Sequence, residues 1–86
     1  MELRWVVSPD YRSIIETVIR ARKELGVSQR ELARRLGKHP SFTNKSENLE
    51  RRLDVLEFIA IAEALGMEAS ALLARIRAEL SRTIVV

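Results

Sequence analysis

The chain has no cysteine, two prolines, three glycines and a single histidine, and only 5% of its 86 residues are aromatic. Without cysteine there is no disulfide framework and no Cys-ligated zinc site. The same absence fits a reducing cytoplasm. No apolar run approaches the roughly 18 residues of a membrane span. The opening MELRWVVSPD lacks the apolar stretch of a secretory signal, so a cytoplasmic, nucleoid-associated protein is expected. One histidine, two aspartates and no glycine-rich phosphate loop offer no material for a catalytic centre. No enzyme activity, cofactor or metal is expected, and His39 is read as a turn residue rather than a ligand.

Charge is present and unevenly placed. From residue 10 to 52 there are 11 Lys/Arg against 6 Asp/Glu, and from 53 to 86 there are 3 against 5. The net charge of +3 therefore rests on the first half, as a polyanionic partner would require.

Start and stop signals divide the chain into five helices. Gly26, Gly37 and Gly66 each follow an apolar-periodic segment, and glycine suits the left-handed conformation that ends helices. A first helix opens at Ser8-Pro9-Asp10, with Tyr11, Ile14, Ile15, Val18, Ile19 and Leu25 as its apolar face. A second opens at Ser28 with Glu31 as the reciprocal half of a capping box and a Val27–Leu32 staple. Leu32, Ala33 and Leu36 face inward. A third runs from Pro40 to about Asn48. A fourth starts at Asp54 with Glu57 and a Leu53–Phe58 staple, burying Ile59, Ala62 and Leu65. A fifth spans roughly Glu68 to Leu80, with Leu72, Leu73, Ile76 and Leu80 apolar. The ends differ in kind. Leu3–Val7 and Thr83–Val86 are rich in β-branched and aromatic residues and are expected to form a small β-ribbon, with Trp5, Val7, Ile84 and Val86 on one face. The expected organisation is an extended arm (1–7), a helical domain (8–80) and an extended tail (81–86).

Residues 28–48, SQRELARRLGKHPSFTNKSEN, read as two short helices joined by a tight turn. With the flanking LGVSQRELARRLG, KHPSF, K-x-E-N and ERRLDVLEFIAIAEALG, the segment Leu25–Leu73 resembles the Cro/phage-repressor (XRE-type) family of helix-turn-helix regulators. The resemblance implies an all-α, five-helix, lambda-repressor-like domain that binds duplex DNA sequence-specifically as a homodimer and acts as a repressor. It implies that Gln29 contacts a phosphate and braces the third helix. It also implies that Lys38, His39, Pro40, Ser41, Asn44 and Lys45 face DNA, and that Arg51 and Arg52 approach the backbone. Asn can pair with adenine in bidentate fashion and Lys can reach guanine, while His39 and Ser41 suit phosphate as well as base. Arg34 and Arg35 are expected to be solvated, Lys45 and Glu47 have an alternative as ordinary solvent-facing charges, and Trp5 is expected in packing.

Three positions depart from the family pattern. Thr43 and Ser46 stand where relatives carry apolar side chains: Thr43 keeps the shape of valine but buries a hydroxyl, and Ser46 in place of a large side chain costs about 2–4 kcal/mol if nothing fills the space beside Leu32 and Leu36. Phe42 is the candidate to turn inward. Leu49 stands where relatives have glycine, so the third helix is expected to run on or end differently. These departures favour a rival reading, an antitoxin-like or other protein-interaction module that keeps the helix-turn-helix as scaffold and binds a toxin-like protein partner.

Overall fold

A computed structural model describes residues 7–84. Five helices follow in order: α1 (Pro9–Glu24), α2 (Gln29–Arg35), α3 (Pro40–Glu47), α4 (Val55–Ala64) and α5 (Ala69–Glu79). No strand occurs among the described residues. Of the expected terminal ribbon, Val7, Thr83 and Ile84 are not in strands, and Trp5 and Val86 lie outside the described residues.

Helices α1 to α4 each begin where a side chain serves an orphan amide, whereas Glu68 at the start of α5 makes no such bond. Ser8 Oγ accepts from the Tyr11 amide at 3.1 Å, and Ser28 Oγ accepts from that of Glu31 at 3.0 Å. The capping box expected at Ser28 is only half made, because the Glu31 carboxylate turns to Arg34 and Arg35 instead. At α4 the box is complete: Asp54 accepts from the Glu57 amide at 2.7 Å and Glu57 from the Asp54 amide at 3.0 Å.

The three glycines end α1, α2 and α4 at φ near +70°. Each sits in the paired 6→1 and 5→2 hydrogen bonds of a Schellman turn, such as Lys38 N to Ala33 O and Gly37 N to Arg34 O. Helix α3 ends the same way without glycine. Leu49 takes φ 64°, with Glu50 N bonded to Lys45 O and Leu49 N to Ser46 O. The expectation that α3 would run on or end differently is therefore corrected. The left-handed conformation is strained for a leucine, but it turns the side chain into a pocket with Tyr11 and Ile15, where Leu49 is 7% exposed.

Helix α2 packs on α3, α1 spans from α3 to α5, and α4 closes against α2 and α5. The main core joins Val18, Ala21, Val27, Leu32, Ile61, Ala62, Leu65, Leu72 and Ile76. Ala33 is fully buried where α2 meets its neighbours. Three residues of the expected apolar faces are not there. Leu25, at the end of α1, is half exposed, and α4 is rotated so that Ile61 rather than Ile59 is buried. Leu73 likewise points outward. Across the bundle, Asp10 accepts the Ser81 amide at 2.9 Å and also its hydroxyl, which fastens the residues after α5 to the start of α1. That pairing holds the Asp10 carboxyl below the usual carboxylate range, the Ser81 hydroxyl being the main cause.

The two polar substitutions in α3 are both buried, at 3% exposure each. Ser46 returns its hydroxyl to the Phe42 carbonyl at 2.8 Å. The space left beside it is a cavity of only about 10 Å³ lined by Ile15, Val18, Leu32, Phe42 and Ile61, too small to hold a water comfortably. Phe42 contributes to that wall while staying half-buried. Thr43 is different: its hydroxyl has no hydrogen-bond partner among the described residues. A buried unpaired hydroxyl is destabilising, so Thr43→Val, which keeps the shape, is expected to stabilise the domain by about 1 kcal/mol. That gain corresponds to a rise of about 4–8 °C in the thermal midpoint of a domain this size. A melting curve that falls instead would show that the hydroxyl finds a partner.

Candidate nucleic-acid interface

Helix α3 is positioned by what lies behind it. Arg22, on the buried side of α1, is 6% exposed. Its guanidinium grips the Glu47 carboxylate through two bonds, Nε to Oε2 at 2.7 Å and Nη2 to Oε1 at 2.8 Å, and donates a third from Nη1 to the Val27 carbonyl at 2.8 Å. Gln29 Nε2 donates to the same carboxylate at 2.8 Å. Glu47 is thus no solvent-facing charge, as one reading of the sequence had it. It is the buried node that joins the end of α1, the start of α2 and the end of α3. Forked pairing of this kind satisfies both charges in a dry site.

The polar chain continues to the surface. Asn44 Nδ2 donates to Gln29 Oε1 at 3.4 Å, and Asn48 Nδ2 donates to Asn44 Oδ1 at 3.3 Å. Asn44, Lys45 and Asn48 are exposed, and Ser41 is partly so. Their spacing of three and four residues sets them in one stripe along α3. Asn48, the C-cap of α3, was not singled out from sequence because it was read only as the helix end. Asn44 keeps one donor and one acceptor beyond these bonds, the complement a base edge requires, whereas Asn48 also donates to Glu50 Oε2 at 3.4 Å and keeps only its acceptor.

His39 caps α3. Its Nδ1 accepts from the Ser41 amide at 3.1 Å and lies 3.0 Å from the Ser41 hydroxyl. With Nδ1 turned to the Ser41 amide, Nε2 is the ring nitrogen left to face a partner outside the protein. Pro40 at the first position of α3 is exposed beside it. Lys38, also exposed, lies with Pro40, Ser28, Arg30 and Arg34 around a groove between α2 and α3.

The other expected basic residues are engaged within the protein. Arg51 pairs with Glu57 at 2.8 Å and lies over the Phe42 ring at 4.5 Å. The Arg51 guanidinium holds the Glu57 carboxyl below its ordinary range. Arg52 lies over the Tyr11 ring at 4.8 Å, on the α1 side. Arg34 and Arg35 both bind Glu31, whose carboxyl is lowered to about 2, chiefly by Arg34 and then by Arg35. Arg35 further donates to the Ala64 carbonyl at 2.9 Å and so ties α2 to α4. Gln29 is half-buried between the Glu47 node and Asn44, in the place expected of a bracing residue. No group of three or more His, Cys, Asp or Glu side chains able to hold a metal occurs among the described residues, and no described helix is long and apolar enough to cross a membrane.

The geometry has counterparts in known proteins. Residues 18–72 match the helix-turn-helix family. An XRE-family like protein from Pseudomonas syringae pv. tomato str. DC3000 is similar at 42% identity, over 80% of this chain and 84% of that one, with a TM-score of 0.76. Two structures of the clp gene regulator ClgR from Corynebacterium glutamicum share the fold. One has a TM-score of 0.72 at 18% identity, over 83% of this chain and 76% of that one. The other has a TM-score of 0.73 at 17% identity, over 91% and 100%. No curated protein compared with the chain matches it in sequence. With more than half its length matched and a 42% identical relative over 80% of its residues, the chain belongs to the XRE-type helix-turn-helix family of DNA-binding regulators.

Proposed function

We propose that the protein is a sequence-specific repressor that binds duplex DNA as a homodimer, with α3 in the major groove. The observation that carries this reading is the exposed stripe of Ser41, Asn44, Lys45 and Asn48, backed by the buried Arg22–Glu47 node. A side chain that reads bases must arrive in a fixed pose, and the Gln29–Asn44 bond supplies one. In this reading Lys38, His39, Pro40 and Ser41 meet the phosphates and the groove edge at the start of α3. Gln29 braces and touches the backbone, and Asn44 and Lys45 discriminate among bases. Arg51 and Arg52 add positive potential near the backbone while holding Glu57 and Tyr11. A short α3 reads few base pairs, so two copies on a two-fold site supply specificity. Occupying the operator is sufficient for repression, and the protein works in the cytoplasm at the nucleoid.

The rival reading, a retained scaffold that binds a toxin-like partner, drew support from Thr43, Ser46 and Leu49. The small cavity beside Ser46 and the regular end of α3 at Leu49 remove most of that support. Selection of bound sequences from random duplexes tests the choice, and a motif with two-fold symmetry is expected. Asn44→Ala and Lys45→Ala should each weaken binding to the selected site by about 1–3 kcal/mol. Random-sequence affinity should fall more for Lys45→Ala, which also removes a charge. No enrichment from the pool would overturn the proposal and favour the interaction module.

A further inference from the structure

We propose that Glu57 sets the strength of DNA binding by withholding Arg51 from the phosphate backbone. The inference rests on the DNA-binding reading above and refines the part given there to Arg51, whose charge lies near the backbone but is spent on a carboxylate. The Arg51 guanidinium donates to both Glu57 oxygens, Nη2 to Oε2 at 2.8 Å and Nη1 to Oε1 at 3.3 Å. Nη1 also donates to the Ser46 hydroxyl at 3.3 Å, and the group lies over the Phe42 ring at 4.5 Å. Both terminal nitrogens are thus engaged within the protein. Yet the Arg51 side chain is 35% exposed and that of Glu57 22%, so the pair is within reach of a ligand at the surface.

The pair stands beside the recognition helix. The Lys38 ammonium lies over the same Phe42 ring at 5.7 Å, and Lys38 is exposed in the turn that opens α3. Two cations therefore share one ring, and Glu57 pairs with one of them. Its carboxylate is held in place. It accepts from the Asp54 amide at 3.0 Å as half of the α4 capping box, which keeps it against Arg51. Arg51 chiefly, with the Asp54 amide and Lys38 behind it, holds the Glu57 carboxyl below its ordinary range. The negative charge is thus present near neutral pH. Affinity for DNA of any sequence rises with the number of phosphates neutralised, each worth a slope of about 0.9 in log affinity against log salt. A guanidinium committed to Glu57 adds nothing to that count. Phosphate contacts carry no sequence information, so α3 sets the preference and Glu57 the level.

Glu57→Gln tests the assignment. Glutamine also serves at this position of a capping box, and far-ultraviolet dichroism checks that the helices are kept. Duplex affinity is measured from about 50 to 200 mM salt. Glu57→Gln is expected to steepen the salt slope by about 0.9, so that its advantage over wild type is about 3-fold larger at the low-salt end. The advantage should be equal on selected and random duplexes, since the new contact reads no base. Glu79→Gln makes the same change of charge on α5, which packs on α1 and α4 rather than on α3, and should leave the slope as in wild type. Adding Arg51→Ala to Glu57→Gln should return the slope to the wild-type value. A second readout needs no variant: the Arg51 guanidinium resonances of the wild-type protein should stay in place when random duplex is added. An unchanged slope in Glu57→Gln, an equal steepening in Glu79→Gln, a steep slope that survives the loss of Arg51, or wild-type Arg51 resonances that move on DNA would each overturn the proposal while leaving the DNA-binding reading intact. A wild type that binds no duplex would refute that reading, and this assignment with it.

Discussion

Glu47→Ala is expected to destabilise the domain by about 3–5 kcal/mol, because it leaves the Arg22 guanidinium buried and without its carboxylate. Against a total stability of roughly 0.05–0.15 kcal/mol per residue, that is a large share of what holds 86 residues folded. Arg22→Ala should do comparable harm from the other side and also free the Val27 carbonyl at the turn before α2. The paired change Arg22→Met with Glu47→Leu removes both charges and fills the volume. Its expected cost is well below the sum of the single losses, since the desolvation penalty disappears with the charges. Urea melts of the four proteins measure this directly. Single variants as stable as wild type would mean that water reaches the pair. The double variant has a second use: if it folds but reads DNA poorly, the node orients Gln29 and Asn44 as well as stabilising α3.

The second large effect concerns Leu49. Leu49→Ala should cost about 2–5 kcal/mol by emptying the pocket against Tyr11 and Ile15. Leu49→Gly empties it further, yet relieves the strained backbone at φ 64°, a release of about 1–2 kcal/mol. The expected order of thermal midpoints is therefore wild type, then glycine, then alanine, the reverse of the usual ranking of alanine over glycine. Alanine above glycine would show that the chain abandons the left-handed turn once the leucine is gone.

Much of this architecture was legible because helix ends are written locally. Ser8, Ser28, Asp54 and the three glycines each act within four residues of where they stand, and all of them mark real boundaries. The family motif likewise located α2 and α3. What stayed hidden depends on distant partners. Arg22 and Glu47 are 25 residues apart, and nothing local distinguishes them from surface charges. The available signal was a single arginine on the buried stripe of α1, beside Val18 and Ala21. Leu49 was misjudged because the local cost of its conformation was visible and the compensating pocket was not. The face of α4 was misassigned for a related reason: Val55, Leu56, Phe58, Ile59 and Ile61 are apolar on nearly every side, so periodicity alone does not choose which side turns inward.

The clasp between Asp10 and Ser81 has a consequence in time rather than in space. It joins residues 71 apart in the chain, whereas α2 and α3 meet across a turn of four residues. Contacts of short separation form early in folding and distant ones late, so the helix-turn-helix pair can assemble before the ends of the bundle are fastened. The same ordering runs backwards in the native state. The clasp is exposed and held by two bonds, which makes it a low-cost place for the bundle to open. Amide protons near Ser81 should exchange with solvent long before those of the core around Leu32 and Ala33, and the recognition unit can stay intact through openings that release the end of α5.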